Sequence, residues 1–95
     1  MQKILNYING ALVEPVNGQY FDNINPAEGK AYSLIPDSDS KDVALAVDAA
    51  KKSFHTWSTT PVKKRADILV KIADLIDRDL DMLALAESTD QGKPV

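Results

Sequence analysis

The chain has 95 residues, which is enough for one small domain and too few for the two or three domains of most cofactor-dependent enzymes. Its composition, 44% hydrophobic and 26% charged, excludes collagen-like and disordered proteins. A net charge of -3 argues against nucleic acid or an anionic membrane as a partner. The chain contains neither a signal-peptide pattern nor an apolar run of membrane-spanning length, so we expect a cytoplasmic protein.

The first third of the chain has the turn pattern of short antiparallel strands. Turn sequences recur at Asn9-Gly10, Asn17-Gly18 and Asn25-Pro26. Aromatic and β-branched residues alternate between them, which predicts strands within about residues 3–36. Asn-Gly can supply positive φ at both central positions of a type I′ turn, so we expect a tight hairpin at Asn9-Gly10.

A first helix is predicted over about residues 40–57. The apolar period changes near Asp37 from two to about 3.6, and the cluster from Asp37 to Ser40 offers oxygens that can cap the first helical turn. We expect Trp57, at the end of this helix, to be a core anchor. The apolar stripe consists of Val43, Ala46, Val47, Ala50, Phe54 and Trp57.

A second helix is predicted over about residues 61–90. Thr60 can cap it, Pro61 suits the first helical position, and Gly92 suits the end. Its apolar side chains cover about half of the circumference, which is wider than the stripe of a surface helix. We therefore expect uncovered apolar surface on the isolated chain. These side chains are Val62, Ala66, Ile68, Leu69, Ile72, Ala73, Leu75, Ile76, Leu80, Leu83 and Ala86.

Few residues offer chemistry. There is no cysteine, no glycine-rich phosphate loop and a single histidine, His55, which we interpret as a surface or helix-end residue without a catalytic role. Glu87 and Asp90 face the same side of the second helix, where they could share a proton or bind a cation with Lys93 or a metal ion as the offsetting charge. We assign no catalytic and no cofactor-binding residue to this chain.

Several ordered segments resemble the aldehyde dehydrogenase superfamily, and together they cover essentially the whole chain. The resemblance implies an α/β fold, namely the N-terminal part of the family's cofactor-binding domain, with short antiparallel hairpin strands followed by two helices. The segments are residues 7–10, 21–30 and 42–58, then Pro61, Arg65, Ile68 and Leu69, then residues 73–76 and 87–94.

The resemblance also implies a function for a longer parent protein. Members of the family are several times longer than this chain and use NAD or NADP to oxidise an aldehyde to a carboxylic acid. A cysteine thiolate attacks the aldehyde, a hydride passes to the nicotinamide, and a glutamate activates the hydrolytic water. These residues would then be a scaffold without the catalytic Cys and Glu, inactive alone, and part of a homodimer or homotetramer. Residues 87–94 look most similar to the branch that oxidises muconic semialdehydes, with the betaine aldehyde and general aliphatic branches as alternatives.

One site is implied by the same resemblance. In many family members a monovalent cation lies at positions that match the backbone of Asn23 and the carboxylate of Asp90.

The alternative interpretation of the chain is a free-standing α+β interaction module that binds a partner through the apolar face of the second helix.

Overall fold

A computed structural model describes all of residues 1–95. Five short strands precede three helices, which confirms the predicted α/β class and the position of the strands in the first third of the chain. The elements are β1 (Gln2–Lys3), β2 (Asn6–Ile8), β3 (Ala11–Val13), β4 (Tyr20–Asn25), β5 (Lys30–Pro36), α1 (Ser40–Thr59), α2 (Val62–Arg78) and α3 (Leu80–Gln91).

Strands β2 and β3 form the predicted hairpin. They pair in antiparallel register, with Ile8 opposite Ala11 across the turn. Asn9 has φ 53° and Gly10 has φ 78°, the two positive values that a type I′ turn requires. The local Asn-Gly signal was therefore sufficient to specify this hairpin.

The remaining strands form a three-stranded sheet in the order β1-β5-β4. Strands β4 and β5 are antiparallel, as predicted, but β1 pairs with β5 in parallel. The expectation of antiparallel strands is wrong for this one pair. Strand β4 occupies one edge of β5, and β1 pairs along the other edge. The Ile4 amide extends this pairing by donating to the Leu34 carbonyl at 2.8 Å.

A complete capping box starts α1. The Asp39 carboxylate accepts from the Lys41 amide at 2.9 Å, and the Asp42 carboxylate accepts from the Asp39 amide at 3.0 Å. This confirms the predicted cap within the Asp37 to Ser40 cluster. Thr60, by contrast, does not cap α2, because its hydroxyl donates backward to the Thr56 carbonyl at 2.7 Å and no side chain caps that helix.

The chain has three helices where the pattern predicted two. Asp79, with φ -100° and ψ 17°, departs from helical geometry and separates α2 from α3. Neither Gly nor Pro marks this position, and apolar residues continue on both sides of it, so periodicity alone could not locate the break. At the other end of α3, Gly92 has φ 75° and forms the predicted left-handed cap.

The chain has no apolar core of its own. Only three residues are buried, and the two that carry polar side chains are Ser33 and Asp42. The accessible surface is 7519 Å², against about 5,400 Å² for a compact protein of this mass. The radius of gyration is 16.9 Å, against about 12 Å for a compact domain.

The apolar stripes of the helices are therefore uncovered, as predicted for α2. Leu69 is 62% exposed and Ile76 is 49% exposed. Trp57 is 43% exposed, so the expectation that it anchors a core is not met within these residues.

None of the three helices combines the length and the apolar composition needed to cross a bilayer.

Candidate functional site

The C-terminal end of α3 meets the β4–β5 hairpin at Asp90, and we call this contact the Asp90 junction; it consists of Asn23, Tyr32, Ser33 and Asp90. Oδ1 of Asp90 accepts from the Tyr32 hydroxyl at 2.8 Å and from Nδ2 of Asn23 at 3.0 Å. Nδ2 of Asn23 also lies 3.1 Å from the Tyr32 hydroxyl and 3.1 Å from Oγ of Ser33. The structure thus brings together Asn23 and Asp90, the two residues that the resemblance assigned to a cation, through the side chain of Asn23.

A β-bulge shapes this junction. Asn23 pairs with Ser33, and the next pair is Ile24 with Ala31, so Tyr32 is the unpaired residue of β5. In a regular strand Tyr32 and Ser33 would point to opposite faces of the sheet. Here both reach the same amide of Asn23, because the bulge re-aims one of the two side chains.

The hydrogen bonds of the junction favour a charged Asp90. Donation from Asn23 and then from Tyr32 lowers the pKa of the Asp90 carboxyl below its ordinary value, because both bonds stabilise the anion. The same bond to Asp90 raises the pKa of the Tyr32 hydroxyl, because the proton is shared with a negative charge. At neutral pH the junction therefore holds a carboxylate beside a neutral phenol.

Glu87 and Asp90 do not form a proton-sharing pair. Glu87 pairs with Lys93 at 2.9 Å, whereas Asp90 is bound by Asn23 and Tyr32. Each carboxylate therefore has its own partner, and the predicted role of Lys93 as an offsetting charge applies to Glu87 only.

Next to the junction, Gly92 at the end of α3 lies in close contact with Pro26 in the turn between β4 and β5. A Cβ atom placed on Gly92 would lie 2.8 Å from Cγ of Pro26, closer than real Cβ atoms approach. The glycine thus allows the chain beyond α3 to run against the turn between β4 and β5.

A second polar contact, around Asp42, is structural. The Asp42 carboxylate accepts from the Val16 amide at 2.8 Å in addition to its capping-box bond with Asp39. These backbone bonds, Val16 first, lower the pKa of the Asp42 carboxyl. The contact joins the loop after the β2–β3 hairpin to the start of α1.

The structure assembles no catalytic constellation. His55 is exposed on α1, and no group of three or more His, Cys, Asp or Glu side chains is gathered where it could hold a metal ion. Hard cations prefer oxygen ligands, and the charged oxygen group at the junction is the Asp90 carboxylate. Oδ2 of Asp90 takes no bond from Asn23 or Tyr32, and the bulge interrupts the ladder next to Asn23. The residues fit part of a cation's ligand shell, so further ligands would have to come from elsewhere.

Sequence reasoning missed Tyr32 and Ser33. Both lie on β5, and a strand of regular alternation would place them on opposite faces. The bulge that unites them depends on the pairing register of β4 and β5, for which the sequence carries no local signal.

Known proteins resemble this chain over nearly its whole length. The aldehyde dehydrogenase family model matches residues 12–95. The long-chain-aldehyde dehydrogenase of an Acinetobacter species is 48% identical over 90 residues, which are 95% of this chain and 18% of the relative. Acetaldehyde dehydrogenase 2 of Cupriavidus necator is 46% identical over 94 residues, which are 99% of this chain and 19% of the relative.

A solved structure shows the same arrangement. PnpE, in complex with nicotinamide adenine dinucleotide, matches with a TM-score of 0.92 and 38% identity over 99% of this chain and 19% of its own. The chain thus spans about a fifth of the length of the proteins it resembles. The family match includes β4, β5 and α3, which build the Asp90 junction, and it also includes α1 and α2. As the resemblance in sequence indicated, the chain belongs to the aldehyde dehydrogenase family.

Proposed function

We propose that these residues form the N-terminal scaffold of an NAD- or NADP-dependent enzyme that oxidises an aldehyde to a carboxylic acid. The observation that carries this proposal is the family match over residues 12–95, combined with helices whose apolar faces lack a cover. A folded family member has to cover the apolar faces of these helices with a hydrophobic core. This chain contributes its exposed apolar side chains to that core.

The size of the uncovered surface supports the remainder of the same chain as its main cover. The accessible area exceeds that of a compact protein by about 2,100 Å². A standard interface with one partner covers about 800 Å² per side. Several packed elements are therefore required, and the relatives have about four fifths of their length available to supply them.

The chemistry of the proposed enzyme resides outside these residues. The chain contains no cysteine, so the thiolate nucleophile that the family uses has to be supplied from another part of the protein. When bound, the nicotinamide cofactor supplies a hydride acceptor. The role of residues 1–95 is to position the elements packed against them.

The aldehyde is not specified by this segment. Relatives named for long-chain aldehydes and for acetaldehyde match it almost equally, at 48% and 46% identity. A muconic semialdehyde, suggested by the likeness of residues 87–94, belongs in the same panel of test substrates.

For the Asp90 junction we propose a monovalent cation, held in part by the Asn23 backbone and the Asp90 carboxylate. The contact between Asn23 and Asp90 across the hairpin and α3 supports this assignment. The cation would tie the end of α3 to the sheet, together with ligands supplied from outside these residues.

The test is to express the full-length gene product and to follow nicotinamide reduction with a panel of aliphatic, aromatic and semialdehyde substrates, with NAD and with NADP. We expect reduction of at least one nicotinamide. Failure with every aldehyde and both nucleotides, in a folded protein, would refute the proposed enzyme.

Light scattering of the same product tests the proposed homodimer or homotetramer. Cell fractionation tests the proposed cytoplasmic location.

The alternative, a small interaction module, is favoured by the same uncovered face of α2. The two proposals differ in the gene sequence downstream of the Val95 codon. A reading frame that continues into a glycine-rich segment and a cysteine supports the dehydrogenase, whereas a stop codon there supports the module.

A further inference from the structure

Tyr32 is the residue that the β-bulge aims at α3. We propose that Tyr32 is a positioning residue for Asp90. The Tyr32 hydroxyl donates to Oδ1 of the Asp90 carboxylate and so leaves Oδ2 for an alkali-metal cation. This role rests on the cation proposed above for Asn23 and Asp90. It adds a residue of β5 that provides no cation ligand itself.

The two bonds to Asp90 determine the orientation of its carboxylate. The Tyr32 hydroxyl at 2.8 Å and Nδ2 of Asn23 at 3.0 Å both donate to Oδ1. Two donors on one oxygen restrict rotation of the carboxylate about its Cβ–Cγ bond, and hydrogen bonds to charged acceptors are stronger than neutral ones. Oδ2 receives neither of these two donors; the Gln91 side chain also hydrogen-bonds to the Asp90 carboxylate, and the proposal requires only that one lone pair of Oδ2 faces the cation.

Of the two donors, Tyr32 is the one dedicated to Asp90. Nδ2 of Asn23 has two hydrogens but lies near three acceptors, namely the Tyr32 hydroxyl, Oγ of Ser33 and Oδ1 of Asp90. The Tyr32 hydroxyl has one hydrogen, which it gives to Asp90, and it can accept from Asn23 at the same time. Loss of this hydroxyl would therefore free the carboxylate more than the shared amide could compensate.

The location of Tyr32 suits a role that acts through orientation. Tyr32 is 36% exposed and Asp90 is exposed, so neither side chain is fixed by burial. Within this segment, hydrogen bonds rather than packing therefore restrain the Asp90 side chain, and the Tyr32 bond is the shortest of those described. Groups that hold a metal ligand in place commonly affect metal affinity by about tenfold or more.

The test compares the full-length protein with its Tyr32→Phe variant, which removes only the hydroxyl. Tyr20→Phe is the matched control, since the Tyr20 hydroxyl also donates to a carboxylate, Oε1 of Glu14 at 3.2 Å, away from Asp90. The thermal unfolding midpoint is followed in increasing potassium chloride, with tetramethylammonium chloride keeping the ionic strength constant. We expect potassium to raise the midpoint of the unmodified protein, and the half-saturating concentration to rise about tenfold in Tyr32→Phe and to stay unchanged in Tyr20→Phe.

The possible failures are distinguishable. An unchanged half-saturating concentration in Tyr32→Phe, with a clear potassium response, overturns the positioning role and leaves the cation in place. No potassium response in the unmodified protein overturns the cation at Asn23 and Asp90, and Tyr32 loses this role with it. A lower midpoint without potassium does not affect the test, because the readout is the concentration at half response.

Discussion

The Asp90 junction and helix α2 are stabilised in opposite ways. At the junction four polar side chains from β4, β5 and α3 hydrogen-bond to one another within the chain. On α2 the apolar side chains, Leu69 and Ile76 among them, remain about half exposed. The polar contacts need only this segment, whereas the apolar face needs other elements, because hydrophobic stabilisation requires that surface be removed from water.

The largest test of this contrast is a charge on the apolar face of α2. In the full-length protein, Leu69→Asp or Ile76→Asp should lower the free energy of unfolding by about 3 kcal/mol or more, because an unpaired carboxylate would be buried under the covering elements. Soluble yield and thermal unfolding measure the effect. Lys71→Asp, on the opposite side of α2, is the control and should change stability little. Normal yield and stability of the Leu69 and Ile76 variants would show that this face stays in water.

A second variant probes the close contact at the junction. Gly92→Ala should lower the free energy of unfolding by about 2 kcal/mol, since it adds left-handed strain and a clash with Pro26. Gly29→Ala is matched in backbone, with φ 68° and nothing within 4 Å of the added Cβ, so it should cost only about 1 kcal/mol. Chemical denaturation of both variants isolates the contact with Pro26. Equal losses in the two would mean that the end of α3 is not held against the turn.

The smallest effect is expected at Asp42, and it depends on pH. Because the folded state lowers the pKa of Asp42, its contribution to stability is present above the ordinary carboxyl pKa and is lost as the pH falls through the folded value. Asp42→Asn should therefore lower the unfolding midpoint at neutral pH, and its difference from the unmodified protein should shrink in acid. Asp48→Asn, on an exposed carboxylate paired with Lys52, is the control and should change the midpoint little at neutral pH, because exposed ion pairs contribute little to stability. A pH-independent difference for Asp42→Asn would contradict the role of its charge.

Local patterns predicted the local structures. The Asn9-Gly10 turn, the acidic cap of α1 at Asp39 and the glycine end of α3 each depend on a few adjacent residues, and each is present as predicted. The uncovered face of α2 was also predictable, because its apolar width exceeds what a small sheet and one helix can cover.

Features that depend on distant pairing were not predictable from these patterns. The bulge at Tyr32 follows from the register of two strands, and the break at Asp79 has no Gly or Pro to mark it. Asn23 and Asp90 are 67 positions apart, so no spacing rule could join them. Their proximity was anticipated only through the resemblance to a known family.

The flat shape of the chain has a consequence for biosynthesis. With principal dimensions of 47 × 34 × 16 Å and no apolar core, these residues present one open layer rather than a closed domain. In the proposed enzyme the elements that cover this layer come from the other four fifths of the chain, which are synthesised at about 5–20 residues per second. The apolar faces of the helices therefore stay in water for tens of seconds during synthesis, and exposed apolar surface of this kind is prone to aggregate until the covering elements pack against it.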